Sequence, residues 1–204
     1  MDKRRNRVAR HFLTPEEDSW IDTFRLPRLL RPNNDEMELL WSMKPTTKEK
    51  IFVYDRYVEI PRWQSEYLEP FPSILQKYID YANSSEYIKP YNAKFNSIRI
   101  NWYDNGHQYI GYHADIAERL LETKDKESVI FSISFGETRD FGLKPKINTD
   151  TYTTLKLSLS DNTVIVMGGK CQHTHKHSLI KASGQKGLNM KGRINLTFRM
   201  YQDN

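Results

Sequence analysis

The sequence predicts a mainly β fold with flanking helices, built on a double-stranded β-helix, or jelly-roll, core. From Ser97 onward, apolar side chains recur at every second position, in segments near 98–103, 129–135, 155–159 and 193–200. This period is typical of strands with one buried face. Before Ser97, one segment has helical spacing instead. A helical portion followed by many alternating strands favours a jelly roll or sandwich with helices against one sheet.

The first 50 residues carry weaker patterns and are interpreted as a partly irregular N-terminal extension. Four prolines interrupt them, and a short helix is expected from Glu16 to Phe24. Residues 51–204 are predicted to form a single domain, since a chain of 204 residues fits one sizeable core. Five basic residues open the chain, interpreted as a solvated tail, with a phosphate-contacting arm as the alternative: Lys3, Arg4, Arg5, Arg7 and Arg10.

The helical segment follows Pro70 and Pro72. Its apolar residues recur at intervals of three and four, which places them on one face of an amphipathic helix: Phe71, Ile74, Leu75, Tyr78 and Ile79. A helix of this kind packs its apolar stripe against another element of the fold.

Composition narrows the class of protein. No apolar run approaches the length of a membrane span, and the single cysteine, Cys171, excludes an internal disulfide framework. The first residues lead into no apolar segment, so we expect no secretory signal. The net charge of +5 gives modest support to a polyanionic partner. We therefore expect an intracellular protein, nuclear or cytoplasmic, that is monomeric and has no membrane partner.

The last predicted strand has an unusual polar face. Successive side chains of a strand point to opposite faces, so four polar side chains share one face: Arg193, Asn195, Thr197 and Arg199. They could face water. If they line the interior of a barrel instead, they form a cationic pocket for a small carboxylate, which guanidinium binds in a bidentate manner.

Histidine spacing suggests a metal site. His113 and Asp115 are separated by one residue after a predicted strand, and a distant histidine cluster, His173, His175 and His177, precedes the arginine strand. Two histidines and one carboxylate leave three positions open on an octahedral ion, as in non-haem Fe(II) oxygenases. Zinc hydrolases use a similar set, so the ligands alone leave the chemistry open.

Several short motifs together resemble the AlkB family of Fe(II)- and 2-oxoglutarate-dependent dioxygenases, and most of all its DNA-repair branch. They span residues 97–201, about half of the chain, and comprise Asn101-Trp-Tyr103, His113-Ala-Asp115, Ile133-Ser-Phe-Gly136, Arg139-Asp-Phe141, His177-Ser-Leu179 and Arg193-Ile-Asn-Leu-Thr-Phe-Arg199. Residues 61–67, Pro-Arg-Trp-Gln-Ser-Glu-Tyr, are similar to the family's nucleotide-recognition lid, which is expected around residues 55–70.

The resemblance implies a set of site residues. His113, Asp115 and His177 would be the catalytic iron ligands, with His177 preferred over its two neighbours because it stands in a His-Ser-Leu context. The co-substrate 2-oxoglutarate would be held by the opposing strands, with Arg193 on its distal carboxylate; O2 is the second co-substrate. The implied 2-oxoglutarate residues are Asn101, Tyr103, Arg193, Asn195, Thr197 and Arg199.

The resemblance also implies a substrate and a reaction. The expected function is oxidative dealkylation of N-alkylated bases in DNA, with RNA as a second partner. Alternatives are an RNA-, protein- or lipid-directed oxygenase, and a nucleic-acid-binding jelly roll without turnover. The expected substrate residues are Arg62, Trp63, Tyr67, Tyr112 and Glu118.

The chain departs from the DNA-repair pattern next to the metal motif. Those relatives carry an acidic side chain one or two positions after the iron-binding aspartate, where it helps to recognise a cationic base. Here those positions are Ile116 and Ala117, and the first carboxylate is Glu118. Either Glu118 supplies the anion, or the enzyme relies on aromatic stacking and accepts neutral lesions comparatively well.

Overall fold

A computed structural model describes residues 8–53, 55–115 and 119–202. Its strands are β1 (Ala9–Phe12), β2 (Ser19–Arg25), β3 (Lys50–Val53), β4 (Arg56–Glu59), β5 (Trp63–Leu68), β6 (Ser97–Tyr103), β7 (Ile110–His113), β8 (Ile130–Gly136), β9 (Arg139–Pro145), β10 (Leu155–Leu159), β11 (Thr163–Gly169), β12 (His175–Leu179) and β13 (Arg193–Arg199). Its helices are α1 (Asn34–Ser42), α2 (Ser73–Asn83), α3 (Cys171–Thr174) and α4 (Gly184–Leu188), with 3-10 turns at Arg28–Leu30 and Glu86–Tyr91.

Two antiparallel sheets form the centre of the fold. The larger has seven strands in the order β1-β2-β11-β8-β13-β6-β5, and the smaller has four in the order β10-β9-β12-β7. β3 and β4 form a separate hairpin. Strands that are neighbours in space are mostly distant in sequence, as a jelly roll requires. The predicted fold class is confirmed, and the strands predicted from alternation correspond to β6, β8, β10 and β13.

The large sheet buries both of its faces. On one face, apolar residues from β6, β8 and β13 pack against α1 and α2 in a single core. Leu75, Tyr78, Ile79 and Ala82 supply the buried stripe of α2, so the predicted amphipathic helix is confirmed. On the other face, a smaller apolar cluster that includes Ile130 fills the space toward the four-stranded sheet. Burying a large apolar side chain contributes roughly 1.5–3 kcal/mol to the free energy of folding, so both clusters stabilise the sheet.

The predicted helix from Glu16 to Phe24 is wrong, because this segment contains β2. Its backbone pairs with β11 over seven residues and with β1 on the other side. Ile21 packs into the inter-sheet cluster and Phe24 packs against the helical core, so apolar residues lie on both faces and hide the period of two. The buried Asp22 is held by Arg10, at 2.7 and 2.8 Å.

Residues 8–50 are therefore not set apart from the rest of the chain, since β1 and β2 extend the large sheet. Helix α1 begins with a capping box in which Asn33 and Glu36 each accept from the other's backbone N–H. Arg10 belongs to β1 rather than to a tail. The other four residues of the basic cluster lie outside the described residues. No helix in the described ranges is long and apolar enough to cross a membrane.

Candidate metal centre

Three side chains converge where the small sheet faces the large one. β7 and β12 pair so that His113 lies directly opposite His177, with ring centroids 4.3 Å apart. Asp115 stands two positions after His113, just beyond the end of β7. One potential ligand atom from each of the three residues lies within 4.8 Å of the others. The strand pairing therefore assembles the His-Asp-His group that the sequence motifs suggested.

Two buried atoms of this group have no hydrogen-bond partner in the described part of the chain: Asp115 Oδ2 and His177 Nδ1. Asp115 Oδ1 accepts from Arg199 Nη2 at 2.9 Å, which fixes the orientation of the carboxylate. His113 Nδ1 lies 2.8 Å from Gly111 O and donates to that carbonyl, so its Nε2 carries the free lone pair. An unsatisfied buried polar atom costs about 1–3 kcal/mol, and a divalent cation bound by this group would satisfy the free oxygen of Asp115.

Electrostatics keep the three groups ready to bind a cation. Burial, together with the neighbouring His113, lowers the pKa of His177 to about 3. Burial also lowers the pKa of His113. For Asp115, burial raises the pKa, but Arg199 and His177 more than offset it, so the net pKa is lowered. At neutral pH both imidazoles are neutral and the carboxylate is charged, which is the protonation state that metal ligands need.

The two other histidines of the cluster have partners elsewhere. His173 Nε2 lies 2.7 Å from Glu122. His175 contacts Thr174 Oγ1 through Nδ1 at 2.8 Å and Thr153 O through Nε2 at 3.1 Å. Neither ring joins the group around Asp115. Of the three clustered histidines, His177 alone lies beside His113 and Asp115, which favours it as the third metal ligand.

The polar face of β13 lines a pocket between the sheets, on one side of the His-Asp-His group. Its side chains are buried rather than hydrated, with Arg193 1% and Arg199 5% exposed. β13 pairs with β6 so that Arg193 lies opposite Tyr103 and Asn195 opposite Asn101. The six residues expected to hold 2-oxoglutarate all line this pocket, together with residues that were not expected at this site: Ile110, Ser132, Phe141, Leu159, Ile165, Met167 and Leu179.

Arg193 carries a buried charge without a carboxylate partner among the described residues. Its Nη1 donates to Glu137 O at 3.0 Å and Leu159 O at 3.1 Å, and its Nη2 donates to Ser134 Oγ. Its Nε has no hydrogen-bond partner in the described ranges. Burial lowers the pKa of Arg193 to about 10, so it remains charged at neutral pH. An uncompensated guanidinium of this kind is suited to a carboxylate ligand.

A second pocket opens on the other side of the group, and it is rich in arginine. Arg62 and Asn101 stand on its wall, joined by a hydrogen bond of 2.9 Å from Nε to Oδ1. Arg62 was expected near the substrate; the remaining arginines of this wall and Tyr201 were not. Alternation along β6 puts Arg99 on the same face as Asn101, so this signal was present in the sequence. The residues missed are Arg99, Arg119, Leu120 and Tyr201.

The three aromatic candidates for base stacking line neither pocket. Trp63 and Tyr67 lie on the face of β5 that packs against the helical core. The Trp63 ring is further covered by Lys44 and Lys48, whose Nζ atoms lie 4.2 and 4.3 Å from its centroid. Tyr112 points to the outer face of β7, away from His113. Trp63 and Tyr67 pack against their neighbours, whereas Tyr112 is 41% exposed. Glu118 lies outside the described residues.

Comparison with known proteins identifies the class. The profile of the 2OG-Fe(II) oxygenase superfamily matches residues 9–199, almost the whole chain. The solved structure of OsALKBH1 has a TM-score of 0.53 with this fold at 17% identity, covering 88% of this chain and 96% of that one. The chain therefore belongs to the 2OG-Fe(II) oxygenase superfamily, whose cofactors are Fe(II) and 2-oxoglutarate.

Within that superfamily the chain is similar to AlkB homologues, as its motifs predicted. The DNA oxidative demethylase ALKBH2 of Arabidopsis thaliana is 31% identical over 53% of this chain and 38% of its own length. The alpha-ketoglutarate-dependent dioxygenase alkB homolog 3 of Homo sapiens is 33% identical over the same shares. The matched stretch thus amounts to well under half of the length of these relatives.

Proposed function

We propose that this chain is a dioxygenase that removes alkyl groups from nucleic-acid bases. The observation that carries the proposal is the buried His-Asp-His group with an unpartnered carboxylate oxygen, placed between a pocket suited to a dicarboxylate and a second, open pocket. The names of the curated relatives, a DNA oxidative demethylase and an alkB homolog, support the nucleic-acid substrate. DNA is the first candidate and RNA the second.

His113, Asp115 and His177 would hold Fe(II). The donor set fits this ion, because two imidazoles and one carboxylate leave three positions for co-substrates. When bound, the iron with 2-oxoglutarate and O2 supplies an oxidant able to hydroxylate an alkyl carbon. Arg199 keeps the carboxylate of Asp115 in one orientation through its 2.9 Å hydrogen bond. Phe141 stacks on His177, with centroids 5.8 Å apart, and shields the ring from water.

The polar strand would hold 2-oxoglutarate. Arg193 would pair with the distal carboxylate, and Tyr103, directly opposite on β6, would face the same ligand. Asn195 is fixed by hydrogen bonds from its Nδ2 to Ser132 Oγ at 2.7 Å and Ile133 O at 3.1 Å. Because these groups are already in place, binding orders few side chains, which favours affinity.

The second pocket would receive the alkylated nucleotide. Hydroxylation of an N-alkyl carbon gives a hemiaminal, which breaks down to an aldehyde and the free base. A base inside a duplex cannot reach a buried centre, so the target must be unpaired or flipped out of its stack. The pocket lies beside His113 and Asp115, where such a base would meet the iron.

Metal affinity should change little near neutral pH. Two histidines with ordinary pKa values near 6.5 would lose about tenfold in affinity between pH 8 and pH 6, because protons compete with the metal. Here the pKa of His177 is lowered to about 3 and that of His113 is also lowered, so protons compete only at more acidic pH. Titration of Mn²⁺ by calorimetry should give dissociation constants within about threefold at pH 6 and pH 8. A tenfold difference would contradict neutral, buried ligands.

The proposed reaction is tested by succinate formation. Fe(II), 2-oxoglutarate and O2 should yield more succinate when an oligonucleotide with 1-methyladenine or 3-methylcytosine is present, with loss of the methyl group detected by mass spectrometry. Unmodified oligonucleotides of the same sequence are the control. Stimulation by methylated RNA but not DNA would select the second candidate. If neither stimulates turnover, the chain acts on another class of substrate or binds without turnover.

A further inference from the structure

Four arginines surround the second pocket, and we call this group the arginine pocket: Arg62, Arg99, Arg119 and Arg199. They differ in depth. The Arg199 side chain is 7% exposed and lies deepest, beside Asp115, whereas the Arg119 side chain is 50% exposed at the mouth. Arg99 is intermediate, with 28% of its side chain exposed. The pocket therefore has guanidinium groups at every depth, from the mouth to the His-Asp-His group.

Two of these charges share one carboxylate. Arg99 Nη2 lies 3.2 Å from Glu66 Oε1, and Arg119 Nη2 lies 3.5 Å from Glu66 Oε2. Glu66 also accepts from the hydroxyl of Tyr201 at 2.8 Å and from Ser97 Oγ at 3.1 Å. One carboxylate cannot neutralise two guanidinium groups, so the mouth of the pocket keeps a positive charge.

Arg62 adds a third cation that no carboxylate of the described residues contacts directly. Its Nε and Nη2 donate to amide oxygens, of Asn101 at 2.9 Å and of Gln64 at 2.7 Å. Glu49 accepts a hydrogen bond from the amide nitrogen of Gln64, so it acts on Arg62 only at a distance. With Arg199 paired to Asp115, four arginines face three acids, Asp115, Glu66 and Glu49, in the described surroundings. A bound divalent metal would add further positive charge.

We propose that the arginine pocket binds a phosphate group, and that this group is the phosphodiester next to the target nucleotide. The inference rests on the proposed function. Guanidinium groups bind phosphate in a bidentate manner, and contacts of this kind position a strand without reading its sequence. Arg119 and Arg99, which Glu66 holds in place, contact the phosphate at the mouth, and the buried Arg62 adds its charge from deeper in the pocket. A cationic alkylated base gains nothing from these walls, so the attraction acts on the backbone.

The test measures binding without turnover. Fluorescence anisotropy is recorded on the full chain with Mn²⁺ and 2-oxoglutarate under nitrogen, using a single-stranded oligonucleotide that carries one methylated base. A second oligonucleotide replaces the phosphodiester on one side of that base by an uncharged methylphosphonate. The replacement is made on the 5′ side of the base in one oligonucleotide and on the 3′ side in another. The wild-type chain should bind at least one of these two about tenfold more weakly than the unmodified backbone. The slope of the logarithm of affinity against the logarithm of salt concentration should fall by about one, which corresponds to the loss of one phosphate contact.

The arginine variants show where the phosphate binds. The Arg119→Gln variant should bind the oligonucleotide with the normal phosphodiester about tenfold more weakly than the wild-type chain does. Replacing that phosphodiester by methylphosphonate should then weaken binding to the variant by no more than about twofold. Arg119→Lys should keep part of the effect. Lys176→Gln is the matched control, since Lys176 is exposed on β12 and lines neither pocket. An equal methylphosphonate penalty in wild type and Arg119→Gln overturns the proposal, as does the absence of measurable binding.

Two further arms separate the sources of phosphate and the two proposals. Competition by a 5′-mononucleotide as strong as that by the oligonucleotide would assign the phosphate to a free nucleotide and overturn the phosphodiester proposal. Binding that depends on Arg119, without any lesion that stimulates succinate formation, would support the phosphate site while rejecting dealkylation. Dealkylation that is insensitive to Arg119 and to methylphosphonates would support the proposed function and reject the phosphate site.

Discussion

Replacing His177 by alanine should lower metal affinity by at least about a hundredfold and abolish 2-oxoglutarate turnover. His177 is 7% exposed, lies opposite His113 and holds one of the two unpartnered atoms of the group. Two ligands bind a divalent ion far more weakly than three, and no other histidine in the described residues is close enough to replace the lost ring. Calorimetric titration with Mn²⁺ and succinate release measure the two effects.

The same variant should remain folded. The substitution removes a ring stacked on Phe141 and leaves a small cavity, but it also removes a buried nitrogen without a partner. These effects oppose each other, so the melting temperature should shift by only a few degrees. His175→Ala is the control, because His175 occupies the same strand with both ring nitrogens hydrogen-bonded elsewhere. Full activity in His177→Ala, with loss in His175→Ala, would show that the wrong histidine was chosen.

The central sheet and its polar strand could be predicted from the sequence because they rest on local periodicity. In β13, apolar residues such as Leu196 enter the core while Arg193 faces the pocket. Any strand with one apolar and one polar face shows this alternation in its sequence, whatever covers the polar face. The sequence could not decide between a pocket and water for the polar face, because that depends on which sheet packs over it.

The sequence predicted β2 wrongly and did not predict which way two aromatic side chains of β5 point, because long-range packing determines both. β2 has apolar residues on both faces, so its period was hidden and a helix was expected. Trp63 and Tyr67 were expected to stack on a base, yet β5 pairs with β6 in a register that turns both toward the helical core. That register also turns Glu66 toward Arg99, which creates the arginine pocket. Register depends on a partner strand more than thirty residues away, and no local pattern encodes it.

Replacing Arg193 by alanine should raise the apparent KM for 2-oxoglutarate several hundredfold, or abolish turnover. The guanidinium is 1% exposed, its charge has no carboxylate partner among the described residues, and it lines the pocket beside the His-Asp-His group. Removing one partner of a buried charge pair costs on the order of 3–5 kcal/mol. An energy of that size corresponds to a change in affinity of several hundredfold.

Arg193 also donates to Glu137 O and Leu159 O, so its loss leaves buried carbonyls without a donor and lowers stability. Arg139 separates the two effects, because it is another buried arginine whose hydrogen bonds in the described chain all go to backbone carbonyls, among them Gly106 O and Ile180 O. Its guanidinium approaches the 2-oxoglutarate site only through the Tyr103 ring, 5.9 Å from the centroid. Arg139→Ala should lower the melting temperature similarly, with a much smaller change in KM. Arg193→Lys, which keeps a charge but loses the planar fork, should fall between Arg193→Ala and wild type. A KM within about threefold of wild type in folded Arg193→Ala would reject Arg193 as the anchor and leave Arg199 as the cation to test next.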